Sequence, residues 1–283
     1  MITALDHVVL ICPDIDIGAD MYQTLLGAPP AWRTEDDEDG SASAIFKLKN
    51  TAIELLAPSG NGPVGKRLKA LLGENGPHLT SLAFASDDLV SDHRLIGRRG
   101  LVPDDMADGT STDLISGQTR TWRRFRCDDA ACAGIKTFVL QPVTGALDPS
   151  PPEPGVAHGL DHIVITTPNP DRAVAHYGAR LGLRFALDRS VEDWKTRFLF
   201  FRTGGLTLEV IHRLGEASAL QDPDRFWGLT WSTDNLEVAH ERLSKAGLDI
   251  SEIRTGRKPG STVFTVRNGS LEVPTLFISH APA

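Results

Sequence analysis

The sequence predicts an α+β protein of four β-α-β-β-β modules grouped in two domains, and three observations carry that expectation. First, Leu5–Glu54 recurs without a gap 155 positions later. Leu5, Asp6, His7 and Val9 return as Leu160, Asp161, His162 and Val164, and Pro13, Asp16, Tyr22, Leu26, Gly27, Phe46 and Glu54 return as Pro168, Asp171, Tyr177, Leu181, Gly182, Phe201 and Glu209. Second, a fainter repeat at a shift of 147 relates Leu82, Asp87, Leu89, His93 and Gly100 to Leu229, Asp234, Leu236, His240 and Gly247, so the order is A–B–A′–B′. Internal repetition of this kind sets an architecture before any function is argued. Third, residues 145–155 carry four prolines, a composition that favours an extended connector. The expected division is a first domain over 1–144, a Pro-rich linker over 145–157 and a second domain over 158–283.

Each element follows from its local pattern. Leu5–Ile11 and Leu160–Thr166 are apolar and β-branched, as strands require, with His7, Val9 and Ile11 on one face because side chains alternate. Pro13-Asp14 and Pro168-Asn169 supply caps for helices that run through Met21/Leu25 and Val174/Tyr177/Leu181 and stop at Gly27 and Gly182. Three strands come next in each block, near 30–34, 42–47 and 51–57, then near 184–188, 196–202 and 206–212. The second and fourth modules repeat the scheme, with helices over Leu89–Arg98 and Leu236–Lys245. The twin tyrosines, mid-helix, read as core packing. His93 and His240 read as surface residues of their helices, and the acidic run Glu35–Asp39 reads as a solvated loop.

Composition narrows the function classes. At 283 residues the chain is long enough for two compact cores, and 41% of it is hydrophobic. A net charge of −8 argues against nucleic acid as a partner, because phosphate binding needs a basic face. No apolar run reaches the length of a membrane span and the N-terminus lacks a signal-peptide layout, so a cytoplasmic protein with no membrane partner is expected. Cys12, Cys127 and Cys132 fit reduced, structural thiols.

Four such modules, with His on the first strand and Glu on the last, resemble the vicinal oxygen chelate superfamily, which includes glyoxalase I, extradiol dioxygenases, methylmalonyl-CoA epimerase and bleomycin-resistance proteins. The residues that carry the resemblance are Leu5-Asp-His-Val-Val-Leu and Ile53-Glu-Leu-Leu-Ala-Pro in the first half, and Leu160-Asp-His-Ile-Val-Ile and Leu208-Glu-Val-Ile in the second. The resemblance implies two glyoxalase-like domains with cup-shaped mixed sheets, helices packed outside, and a divalent ion (zinc, nickel, manganese or iron) held at the centres of first and last strands. It makes His7, Glu54, His162 and Glu209 the candidate metal ligands, with Glu54 and Glu209 as candidate catalytic proton carriers.

The even modules depart from that pattern. Ser81 and Gly228 align with the histidines, Phe138 takes the carboxylate position of the second module, and Thr275 or Glu272 takes that of the fourth. If modules pair in sequence order, each half offers one His and one Glu. If the odd modules share one half-barrel, the four ligands form a single 2-His/2-Glu shell. Beside both stands the plain alternative of two structural His–Glu pairs.

The stretch Arg120–Arg126 places Arg120, Trp122, Arg124 and Arg126 on one face of a strand, and the third module offers Trp194, Arg197 and Phe201. An arginine beside an aromatic ring suits a planar anion, which makes Trp122, Arg124, Arg197 and Phe201 candidate substrate contacts. The expected function is a metal-dependent lyase or isomerase of glyoxalase type acting on a small carbonyl or aromatic compound. The alternatives are a metal-free binding protein of bleomycin-resistance type and, behind both, an extradiol dioxygenase. A homodimer is compatible with all three.

Overall fold

In the computed structural model, which describes residues 2–216 and 219–281, the chain forms two eight-stranded mixed sheets. The first half contains β1 (Ile2–Ile11), α1 (Ile15–Leu26), β2 (Trp32–Asp36), β3 (Ser41–Lys47), β4 (Ala52–Pro58), α2 (Pro63–Asn75), β5 (His78–Ser86), α3 (Leu89–Arg98), β6 (Ala107–Thr112), β7 (Thr119–Arg126) and β8 (Lys136–Thr144). The second contains β9 (Ala157–Thr166), a helical turn α4 (Pro170–Ala173) continued by a wider π-turn (Val174–Arg180), β10 (Arg184–Val191), a short 3-10 turn (Glu192–Trp194), β11 (Thr196–Thr203), β12 (Leu206–Arg213), β13 (Arg225–Thr233), α5 (Leu236–Lys245), β14 (Arg254–Thr255), β15 (Ser261–Val266) and β16 (Thr275–His280).

Strand order is β2-β3-β4-β1-β5-β8-β7-β6 in one sheet and β10-β11-β12-β9-β13-β16-β15-β14 in the other. The first strands of modules one and two, β1 and β5, are antiparallel neighbours, as are β9 and β13. Modules therefore pair in sequence order. The shared half-barrel of odd modules does not form, because β1 already spends both its edges on β4 and β5.

Local chemistry explains the element ends. The Asp14 carboxylate accepts from the backbone N–H groups of Asp16 and Ile17, and Gly27 ends α1 in the left-handed region at φ 85°. Asn169 caps the equivalent helix by accepting from Arg172 N–H. That helix then widens, with Leu181 N–H donating to His176 O five residues back, where an ordinary α-helix was expected. The wider turn still delivers Tyr177 and Leu181 to the core. Helix α2 is an addition that the repeat does not foretell, since it belongs to the segment joining modules one and two.

One apolar core runs through both halves. It contains Tyr22, Phe46 and Leu55 of the first half with Tyr177, Phe201 and Trp231 of the second. Burial of each such side chain stabilises the fold by roughly 1.5–3 kcal/mol. Asn50 joins the halves directly: its side-chain N–H donates to Leu160 O at 2.8 Å and its Oδ1 accepts from Leu160 N–H at 3.0 Å. His93 and His240, expected at the helix surface, are half-buried. They pack edge-on against Phe125 and Phe264, and each donates from Nε2 to a backbone carbonyl, of Asp104 and Ser251. A helix side turned toward its own loop gives an imidazole both an aromatic neighbour and an acceptor.

Candidate functional site

Both sheets curl so that the inner faces of β1 and β4, and of β9 and β12, line the two cups. Glu54 stands opposite Val9 in the parallel ladder, and Glu209 opposite Val164, so each glutamate falls near the histidine two residues earlier. His7 Nε2 lies 3.3 Å from Glu54 Oε2, and His162 Nε2 lies 3.8 Å from Glu209 Oε2. The two predicted His–Glu pairs come together, each within its own half.

An aspartate completes each pair, and alternation hides it. In β1 the register passes from Leu5 to His7 against consecutive residues Phe84 and Ala83, leaving Asp6 as an extra bulged residue. Asp161 is extra in β9 in the same way. A bulge re-aims a side chain that strict alternation would send to the other face. Asp6 Oδ1 thus lies 2.7 Å from His7 Nδ1, and Asp161 Oδ1 lies 2.7 Å from His162 Nδ1. The recurrence of Asp beside His at the 155-residue shift is the signal that could have marked them.

The two copies then diverge electrostatically. In the first half, burial alone would push the His7 imidazole down, but the hydrogen bonds it donates to Asp6 and Glu54 raise it to about 9. Burial likewise pushes Asp6 and Glu54 up, and the bonds to His7 override it and hold both carboxyls below their ordinary values. That is a closed cluster of one cation between two anions. In the second half Thr230 stands opposite His162, where Ala83 stands opposite His7, and its hydroxyl lies 2.9 Å from His162 Nε2. Asp161 also accepts from His280 Nε2 at 2.7 Å. Burial would raise Asp161, but the two imidazoles hold it well below the usual carboxylate range. Glu209 behaves oppositely: burial raises its carboxyl, and the attraction of His162 and Arg257 does not cancel that.

The cups also differ in space. In the first, Trp32 Nε1 donates to Ser111 Oγ at 3.1 Å, Arg33 N–H donates to Asp113 Oδ1 at 2.8 Å, and Leu114 N–H donates to Arg33 O at 2.8 Å, so edge strand β2 is tied to edge strand β6 and the hairpin beyond it. Arg120 fills the interior between Trp32 and Trp122, with its guanidinium 5.8 and 5.0 Å from the two rings, and Leu147 packs on Trp32, Ile45 and Ala52. Trp122 lies so close to Gly109 that a Cβ there would sit 2.3 Å from the indole. Arg124 rests on the Phe138 ring at 5.3 Å. Trp122 and Arg124 share this face of β7, Trp122 half-buried against Arg120 and Gly109 and Arg124 exposed over Phe138.

The second cup is an open cleft of about 950 Å³ with Asp161, His162, Thr230 and Glu209 among its lining residues. Phe198, Val164 and Ile211 form an apolar cluster on this inner face, and Phe198 and Phe200 are stacked at 6.2 Å. Arg197 and Phe201 point the other way, because they alternate with Thr196, Phe198 and Phe200 along β11. Arg197 pairs with Asp188 and Asp171 on the outer surface, and Phe201 is fully buried against Tyr177. The cleft contacts that the sequence did not single out are Phe198, Phe200, Arg213, Trp227 and Arg257.

The ladder also settles which residue occupies the last ligand position. Thr230 pairs with Leu276 just as Val164 pairs with Glu209, so leucine stands there, and neither Thr275 nor Glu272 does. Phe138, opposite Ala83, has that place in the first half. Each cup retains half of a metal site: an imidazole oriented by a carboxylate through Nδ1, with a glutamate beside Nε2. The other half is Ser81 with Phe138, or Gly228 with Leu276. Among the described residues no three His, Cys, Asp or Glu side chains are arranged to hold an ion. The donor sets do not fit the three- or four-ligand divalent centre that the family resemblance implies.

Comparison with known proteins agrees with this fold. Residues 5–150 match a family model described as a glyoxalase-like domain, and residues 161–264 match one described as the glyoxalase/bleomycin resistance protein/dioxygenase superfamily. Over 62 residues the chain is 37% identical to an ethylmalonyl-CoA/methylmalonyl-CoA epimerase of Cereibacter sphaeroides, a match covering 22% of this chain and 46% of that enzyme. The match thus spans about half of that relative. A variant of 4-hydroxymandelate synthase from Streptomyces coelicolor superposes over 100% of this chain and 94% of its own, with a TM-score of 0.68 at 13% identity. A Staphylococcus aureus protein described as hypothetical covers 98% of this chain and 100% of its own, with a TM-score of 0.64 at 8% identity. Identities this low speak for the fold alone.

Proposed function

The chain belongs to the glyoxalase/bleomycin resistance protein/dioxygenase superfamily, and from that premise we propose that its C-terminal cleft binds a small carbonyl compound and moves a proton on it, as an isomerase or lyase. The observation that carries the reading is the divergence of Glu209 from Glu54. Glu209 sits in an open cleft with its carboxyl raised by burial, while Glu54 is locked to His7. A carboxylate with a raised pKa is a stronger base toward a C–H next to a carbonyl, and enzymes tune Glu in this direction by burial. Asp161 fixes the His162 ring through Nδ1. In the tautomer that donates to Asp161, Nε2 accepts from the Thr230 hydroxyl, and a protonated ring would donate there to a developing enolate oxygen.

In this reading the glyoxalase-type activity expected from the sequence keeps its proton-transfer part and not its metal part. A dioxygenase would need two histidines and a carboxylate in one cup, and Gly228 and Leu276 stand where two of those belong. A metal-free binding protein is the second reading, favoured by the hydrocarbon at those same positions. Proton exchange separates the two. Incubating α-keto and β-dicarbonyl acids with the protein in D₂O, and following loss of the substrate C–H signal by proton NMR, should reveal exchange above buffer that Glu209→Gln lowers roughly 10²–10⁴-fold. Binding without exchange across the compounds tried would favour the second reading.

A further inference from the structure

The charge of the open cleft is opposite to that of the chain. Six cationic residues line it, Arg189, Arg202, Arg213, Arg254, Arg257 and Lys258, against two acids, Asp161 and Glu209, in a protein of net charge −8. Among the described residues six arginines outside the cleft are neutralised by carboxylates, among them Arg33 with Asp16, Arg172 with Asp224 and Arg267 with Asp249. Among the same residues none of the six cleft cations makes an ion pair. Two of them are held by neutral oxygens instead: Arg213 donates to Thr196 Oγ1 at 2.9 Å, and Arg254 donates to Ser251 Oγ and Thr265 Oγ1, both at 3.1 Å. Such bonds position a guanidinium without discharging it. A concave, low-dielectric wall with an unbalanced sign of charge concentrates the opposite ion.

The walls specify more than charge. Trp194 and Trp227 keep 44% and 51% of their surface exposed, a costly use of large apolar rings unless a ligand covers them. Arg257 lies 4.1 Å above the Trp194 ring. A guanidinium stacked by its face keeps its N–H edges free, so Arg257 is held ready for bidentate contact with an oxyanion. It is also close enough to Glu209 to pull that carboxyl downward, which puts an anion bound there beside the proposed base.

Resting on the reading of the C-terminal cleft as the functional site, we infer that its ligand is a planar organic anion, a conjugated or aromatic body carrying a carboxylate. The carboxylate meets the edge of Arg257, and the flat body lies against the Trp227 and Phe198 walls. Arg257 and Trp194 are then specificity-determining residues: the first reads the charge and the second holds the first in place.

Calorimetric titration with 2-naphthoate and its neutral analogue 2-naphthalenemethanol tests this on the full chain. The wild type should bind the acid at least about 10-fold more tightly than the alcohol. Arg257→Gln should weaken the acid roughly 10–100-fold, the range for hydrogen bonds to charged groups, and change the alcohol little. Trp194→Leu should weaken the acid by about three-fold. Both residues are exposed at the rim, so neither substitution threatens the fold. Equal binding of acid and alcohol would overturn the anion inference and leave the cleft as a binding site. An acid preference that survives Arg257→Gln would overturn the role of Arg257. If neither compound binds at millimolar concentration the inference fails, while the D₂O exchange of wild type against Glu209→Gln still decides the proton-transfer reading separately.

Discussion

Glu209 stands 3.8 Å from His162 where its repeat partner Glu54 stands 3.3 Å from His7, and the two carboxyls are displaced in opposite directions from their ordinary value. One copy of an inherited pair has become part of a closed charge network, with Asp6 and Glu54 both held by His7. The other has a threonine hydroxyl on its histidine and lines an open cleft. The following consequences are measurable.

Glu54→Gln and Glu209→Gln should differ in sign. A carboxyl whose folded pKa is lowered contributes stability above its unfolded value, whereas one whose folded pKa is raised costs stability there. At pH 7 Glu54→Gln should therefore lower the melting temperature, by several degrees for a loss of about 1–3 kcal/mol. Glu209→Gln should leave it unchanged or raise it. A fall for Glu209→Gln as large as that for Glu54→Gln would contradict the assignment.

His7 gives stability a basic limb. Its folded value of about 9 exceeds the ordinary 6.5, so its contribution is complete below 6.5 and disappears as pH rises through 9. Denaturant midpoints of wild type and His7→Gln should lie farthest apart near pH 6 and converge toward pH 10. A gap independent of pH would mean that His7 acts through packing alone.

If Glu209 is the base, proton exchange should fall on the acid side at a pH above the ordinary 4.5 of a glutamate. Removing the positive charge in Arg257→Gln should move that limb still higher, since Arg257 now pulls the carboxyl down. Exchange rates from pH 4 to 9 on both proteins check the direction.

Protein purified without chelator should carry well under one tightly bound transition metal per chain by elemental mass spectrometry, and chelator should leave D₂O exchange unchanged. A side chain at Gly228 would meet Pro274 O at 2.4 Å, so the missing donor is best supplied by Leu276→Glu, which gives His162 and Glu209 a third ligand and should take up zinc more tightly than the wild type. A stoichiometric metal in the wild type, lost in His162→Ala, would overturn the reading of the donor set.

Asn50 holds the two halves through both polar atoms of its amide. Asn50→Ala leaves the N–H and C=O of buried Leu160 without these partners and should cost about 1–3 kcal/mol, read from urea unfolding of the whole chain. A change within error would show that the halves are coupled without Asn50, by the apolar core and by bonds such as Arg242 to Leu25 O and Lys49 N–H to His158 O.

The sequence by itself determined the architecture and the His–Glu pairs. Repetition at 155 residues, the switch between strand and helix periods, and the capping residues are all local or periodic signals, and they place His7 with Glu54 and His162 with Glu209 on neighbouring strands. Three things were decided only by tertiary structure. Which modules share a sheet depends on edge pairing between segments far apart in sequence, and it removed the four-ligand shell. The bulges at Asp6 and Asp161 shift register by one residue and turn those carboxylates onto the histidines, while the regular ladder of β11 sends Arg197 and Phe201 away from the cleft. And a cup is empty or full according to what its edges and its linker bring in: Trp32, Arg120 and Leu147 fill one, while Trp194 and Arg257 only meet at the rim of the other. Packing of that kind leaves no periodic trace, because it depends on volumes meeting in space and not on the order of residues along a strand.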